Sequence, residues 1–177
     1  MNMKNSIRSF LLFSSAVAVL IVTLKVMNWL PLTIEKNTLR RYASTEEVKS
    51  SLNIREIYVP AYFPQNIVWP PSEILAQSKP FPAVVMEFKN QASGDMVLVL
   101  SQSRGGPSPA GHALDLAGIK ETVPFLLKGR KAVLVVGECI KGTPCSKITW
   151  EEGADTVTAF MKASPFELTK IAESMLP

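Results

Sequence analysis

Few side chains in this sequence belong to the types that do chemistry, and their spacing limits what they can do. The single histidine, His112, stands in the loop SQSRGGPSPAGHA at 101–113, with Asp115 close behind it. A Ser-His-Asp arrangement is conceivable there, but no G-x-S-x-G elbow precedes the histidine. Arg104-Gly105-Gly106 suggests a phosphate loop only until the rest of G-x-x-x-x-G-K-[ST] is sought and not found. Glu151 and Glu152 are paired acids beside a turn, more simply solvated hairpin residues than a general acid and base. The two cysteines, Cys139 and Cys145, lie in ECIKGTPCSKI. Their spacing is not the C-x-x-C of a redox site, and one histidine with two thiols builds no known metal set. No catalytic residue, metal or cofactor is therefore expected. The Lys-Gly-Thr-Pro between the thiols is a turn signal, so they should flank a hairpin tip and close a small structural disulfide.

A second constellation is built from rings and prolines. Residues 57–71 read IYVPAYFPQNIVWPP. Proline has no N–H and fixes φ, so Pro60, Pro64, Pro70 and Pro71 should break an extended stretch into short pieces. Tyr58, Tyr62, Phe63 and Trp69 are its anchors, turned either into a core or toward a partner.

The elements that position these residues follow from periodicity. Ser44-Thr45-Glu46-Glu47 is a capping-box start for a short helix ending near Asn53. Strands are expected at 54–59, 83–88, 96–100, 121–127, 131–136, 147–150 and 156–161, with turns at NQASGD, KGR and Glu152-Gly153. Ser164-Pro165-Phe166-Glu167 supplies an N-cap, a proline at the first helical position and a glutamate at the third. Leu168, Ile171, Ala172, Met175 and Leu176 then recur on one helical face, which must pack on the sheet. The expected fold class is α+β: an N-terminal transmembrane helix, then a curved antiparallel sheet of six or so strands with a C-terminal helix packed on it.

The chain has 177 residues, enough for one domain with appendages, and is 47% apolar and 19% charged. The apolar excess is local: FLLFSSAVAVLIVTL at 10–24 carries no charge. A helix from Ile7 to Trp29 would span roughly 34 Å, enough for a hydrocarbon core of about 30 Å. A secretory signal cleaved after Ala16-Val17-Ala18 is the competing reading, but the apolar run continues past it. The expected organisation is a cytoplasmic tail at 1–6, a signal-anchor helix at 7–30, a tether at 31–43 and an extracytoplasmic domain at 44–177. Arg8, Lys25 and Trp29 would sit at the membrane interfaces. The basic flanks are nearly balanced, and the expected disulfide favours an N-terminus inside and a domain in the periplasm or outside the cell. The net charge of +4 is scattered, with no nucleic-acid footprint.

Two segments carry a family resemblance. Tyr58-Val59-Pro60-Ala61-Tyr62-Phe63-Pro64 resembles the Y-L-P-x-Y-L-P entry of an uncharacterised extracytoplasmic domain of bacterial membrane-anchored proteins. The ending, from Ile148-Thr149-Trp150-Glu151-Glu152-Gly153 to Leu168-Thr169-Lys170-Ile171-Ala172-Glu173-Ser174, is similar to that family's W-x-x-x-G and E-L-x-x-I-A-x-S. The resemblance implies a curved sheet embracing a helix, as in periplasmic lipoprotein carriers and anti-sigma-factor regulators, with no catalytic residues. It also implies that the proline-aromatic strip is a structural entry strand with its rings in the core. The loop at 102–113 has no counterpart in it. The resulting expectation is a non-enzymatic single-pass inner-membrane protein, an accessory or regulatory subunit binding the bilayer and other membrane or periplasmic subunits. The alternative is a periplasmic carrier of lipid or another apolar ligand with a cleaved signal peptide.

Overall fold

The computed structural model describes residues 13–25, 39–111, 116–139 and 142–177. The chain divides into two compact units, 1–38 and 39–177. In the first, α1 spans residues 13–25, all of them exposed.

This helix corrects the expectation of an N-terminal transmembrane span at 7–30. Its thirteen described residues at about 1.5 Å each cover roughly 20 Å, short of a hydrocarbon core of about 30 Å. Among the described residues no helix is long and apolar enough to cross a membrane. The single-pass inner-membrane placement, which rested on that span, is corrected with it. Of the three interface residues, Lys25 is the last described residue of α1 and is exposed, while Arg8 and Trp29 lie outside the described residues.

The second unit is an eight-stranded antiparallel sheet with two helices. The strands are β1 (Arg40–Tyr42), β2 (Glu73–Gln77), β3 (Ala83–Lys89), β4 (Met96–Arg104), β5 (Gly118–Leu127), β6 (Arg130–Glu138), β7 (Pro144–Glu152) and β8 (Asp155–Met161). Their order is β1-β2-β3-β4-β8-β7-β6-β5. Two four-stranded meanders are thus joined at the centre, where β4 pairs with β8 through Leu98↔Met161 to Arg104↔Asp155. Short turns join the strands within each meander except β1 to β2, which are linked through α2 and the strip; at Lys128-Gly129 both residues have positive φ (45° and 84°). That is the requirement of a type I′ hairpin turn, whose twist matches the strands it joins.

Helices α2 (Thr45–Leu52) and α3 (Pro165–Ser174) pack against strands, α2 on β1 and β2 and α3 on β7, β8 and β5. Ser44 caps α2: its hydroxyl accepts from the Glu47 amide at 3.1 Å, while the Glu47 carboxylate accepts from the Ala43 amide at 2.8 Å. Asn53, at φ 54°, ends the helix in the left-handed conformation that asparagine tolerates. The apolar face read for α3 is fully inside: Leu168, Ile171, Ala172, Met175 and Leu176 are all buried. They join Val48 of α2 and the alternate residues Met86, Phe88, Leu98, Leu100, Ile148, Trp150, Val157 and Ala159 in one core on one face of the sheet.

Several local expectations change. The sheet has eight strands because β1 forms within the stretch read as tether and β2 follows Pro71. Residues 54–59 form no strand. The strand begun at Met96 runs on to Arg104, so the loop starts at Gly105. That loop, 105–117, connects β4 at the sheet's centre to β5 at its far edge. Its described residues Ala110 and Leu116 lie on the second face of the sheet. Its near end is pinned by Ser101 and Ser108, whose hydroxyls share a 2.6 Å hydrogen bond, and by the Ser103 hydroxyl donating to Gly106 O at 2.9 Å. Ala110 and Leu116 pack on Val85, Val99, Phe160 and the cysteines, a smaller core on that face.

Candidate functional site

The proline-aromatic strip is held between sheet and helix, and its four rings do not share one environment. Tyr58 and Phe63 are partly buried and pack on the main core. Phe63 lies 5.2 Å, centroid to centroid, from both Phe88 and Trp69. Trp69 stands 54% exposed over this pair, and Tyr62 is 38% exposed. The Tyr62 hydroxyl donates to Glu167 of α3 at 3.0 Å, and its amide donates to the Ser174 hydroxyl at 3.1 Å. The strip therefore staples α3 at both ends, with one face of Trp69 left to solvent.

What fixes the strip's start is a polar lock on the core face of β4. Gln102, only 6% exposed, treats the chain at 56–58 as a neighbouring strand would. Its Nε2 donates to Glu56 O at 2.7 Å and its Oε1 accepts from the Tyr58 amide at 3.2 Å. Nε2 also reaches Asp155 Oδ2 at 3.3 Å. Asp155, 3% exposed, is gripped by Arg104 through Nε–Oδ1 at 2.7 Å and Nη2–Oδ2 at 2.9 Å. This fork keeps a buried carboxylate satisfied and holds the Arg104 guanidinium above its usual range. Beside it, burial first and the Glu56 carboxylate second push the Tyr58 phenol up to about 12. A cavity of about 40 Å³ adjoins Gln102, Arg104 and Asp155.

The other sequence candidates fall into structural roles. Cys139 and Cys145 are joined in a disulfide across the β6–β7 turn, with Cα atoms 5.7 Å apart. Glu152 is bound through both oxygens by Arg130 at 2.9 and 3.0 Å, across the hairpin ends of β6 and β7. Glu151 is exposed without sharing that pair. Arg104 belongs to the lock above, and Gly106 lies against the Phe81 ring, where a Cβ would come within 2.3 Å of it. His112 and Asp115 lie outside the described residues.

The part that the residue types did not single out is the second face of β5–β8. Ala110 and Leu116 pack on Val85, Val99, Phe160 and the cysteines on this face, while the core face is covered by both helices and the strip. On the β5–β6 side Leu126 is 69% and Val133 is 42% exposed. With Pro124, Lys131, Thr149, Glu151 and Thr156 they line an open groove of about 640 Å³. A signal for it was present: KAVLVVG at 131–137 is apolar on both faces, the mark of a strand covered on both. Among the described residues the second face of this strand is covered at Gly137, where Leu116 lies, and left exposed at Val133.

No family model, characterised protein or solved structure matches this chain. The site therefore has to be read from its own chemistry.

Proposed function

We propose that this chain is a non-enzymatic partner-binding domain, an accessory or regulatory subunit that docks another protein on the open face of β5–β8. The observation that carries the reading is the adjacent exposure of Leu126 and Val133 around a groove on an otherwise covered sheet. The occupant we commit to is an amphipathic helix. The opposite face of β5, β7 and β8 already takes one, α3, with a stripe of Leu168, Ile171, Ala172 and Met175. Lys131 and Glu151 both line the groove and lie side by side on β6 and β7, since Ala132 pairs with Trp150. A helix with an apolar stripe and charges of both signs along its flanks complements that rim.

Two further observations support a binding role over the alternatives. The displaced ionisable groups at Arg104 and Arg130 are each accounted for by a structural partner, Asp155 and Glu152, and that at Tyr58 by burial first and Glu56 second. A carrier would need room between sheet and helix, and there Trp150, Leu168 and Ile171 interdigitate at 2% exposure or less. The exposed side of Trp69 is a second apolar surface, smaller than the groove.

The test is a photo-cross-linking amino acid placed at Leu126 in cells, with an exposed α2 position, Lys49, as control. A discrete adduct from Leu126 alone, lost when Val133→Asp is added, is expected. No adduct, the same adducts from both positions, or an adduct of twice the chain's own mass would overturn the reading.

A further inference from the structure

Strand β5 is the longest in the sheet, with ten residues, and it lies at the edge, with no strand among the described residues paired to its outer side. Such an edge is a template for pairing with another chain, and proteins manage it by specific devices. The hairpin register shows which backbone groups point outward. The two-residue turn at Lys128-Gly129 makes Leu127 and Arg130 a hydrogen-bonded pair. Alternation then turns the N–H and C=O of Leu127, Phe125 and Val123 toward β6. The same groups of Leu126, residue 124 and Thr122 point away from the sheet.

Residue 124 is Pro124. It is the central member of the outward row, and it has no N–H to offer. On one side of it the row ends at the turn. On the other, a bulge inserts Lys120 between Ile119 and Glu121, and Lys120 pairs with Glu138 rather than extending a regular edge. A bulge of this kind twists an edge out of register for a docking strand. The outward donors that remain, Thr122 and Leu126, stand alone on either side of the proline. Any strand laid against β5 would leave its middle carbonyl without a partner, in a setting from which it had expelled water.

We infer that Pro124 is a guard: it closes the β5 edge to strand addition by a second copy of this chain, and with it the growth of the sheet from copy to copy. Binding at this end of the molecule is thereby confined to the face beside Leu126 and Val133. The inference stands on the register alone and does not depend on the partner proposed for that face.

The experiment is amide hydrogen exchange by NMR on the full-length chain over a range of protein concentrations, for the wild type, Pro124→Thr and Pro124→Ala. The wild type should exchange Thr122 and Leu126 amides fast at every concentration. In both variants these same amides should gain protection as concentration rises, with self-association strengthened on the order of tenfold by the restored bond. Protection at Val123 and Phe125, which face β6, reports that the hairpin has folded, so a variant that loses it is set aside for the other. Wild-type amides at 122 and 126 that become protected with concentration would overturn the inference. So would folded variants whose outward amides stay open throughout.

Discussion

Replacing Gln102 by alanine tests whether one side chain holds the whole proline-aromatic strip in place. The amide makes two bonds to backbone at 56–58, at 2.7 and 3.2 Å, and a longer one to Asp155. With it gone, Glu56 O and the Tyr58 amide lose their partners in a part-buried setting. An orphaned buried polar group costs about 1–3 kcal/mol. The neighbouring cavity of about 40 Å³ would merge with the space vacated, and water entering it would offset part of this. The expected loss is about 2–4 kcal/mol. In equilibrium urea unfolding, with a slope of about 2 kcal/mol/M, the midpoint should fall by roughly 1–2 M. Gln102→Glu separates the two bonds. It keeps the acceptor for the Tyr58 amide, loses the donor to Glu56 O, and sets a carboxylate beside Asp155. It should be at least as damaging as alanine at neutral pH and should recover as the pH falls. A loss below about 1 kcal/mol for the alanine variant would refute the lock, because surface substitutions commonly stay within about 0.5 kcal/mol.

Two further outcomes follow from the same geometry. Removing the disulfide by Cys139→Ala with Cys145→Ala frees a short loop, a sequence separation of 6, and chain-entropy arithmetic gives a loss of about 2 kcal/mol by urea unfolding. No change there would mean that the smaller core around Val85, Val99 and Phe160 holds the turn by packing alone. Glu87 is held above its ordinary value of 4.5, by burial first and by the charge of Glu73 opposite it second. Its raised native pKa means a contribution present below the unfolded value and lost as pH rises through the folded one. Glu87→Gln should therefore melt higher than the wild type at neutral pH and converge with it in acid, and a gap that widens in acid would refute the assignment.

The sequence determined the elements whose signals are local. The Ser44 cap, the Lys128-Gly129 turn, the cysteine hairpin and the apolar stripe of α3 are fixed by residues a few positions apart, so periodicity and turn chemistry reveal them. The tertiary structure decided what depends on distant partners. Residues 54–59 look like a strand by composition, yet their backbone is held by Gln102, far along the chain, and from a side chain. The short β1 and β2 exist because each finds a neighbour, not because their residues demand a strand. The four strip rings are alike in sequence, and packing alone sends Tyr58 and Phe63 inward while leaving Trp69 half in water. The groove at Leu126 and Val133 was only half legible for the same reason: KAVLVVG marks an apolar strand but not which of its residues are covered. An apolar residue on a strand is core or surface according to what covers it: among the described residues Ala110 and Leu116 pack on Val85, Val99, Phe160 and the cysteines, while Leu126 and Val133 stay exposed.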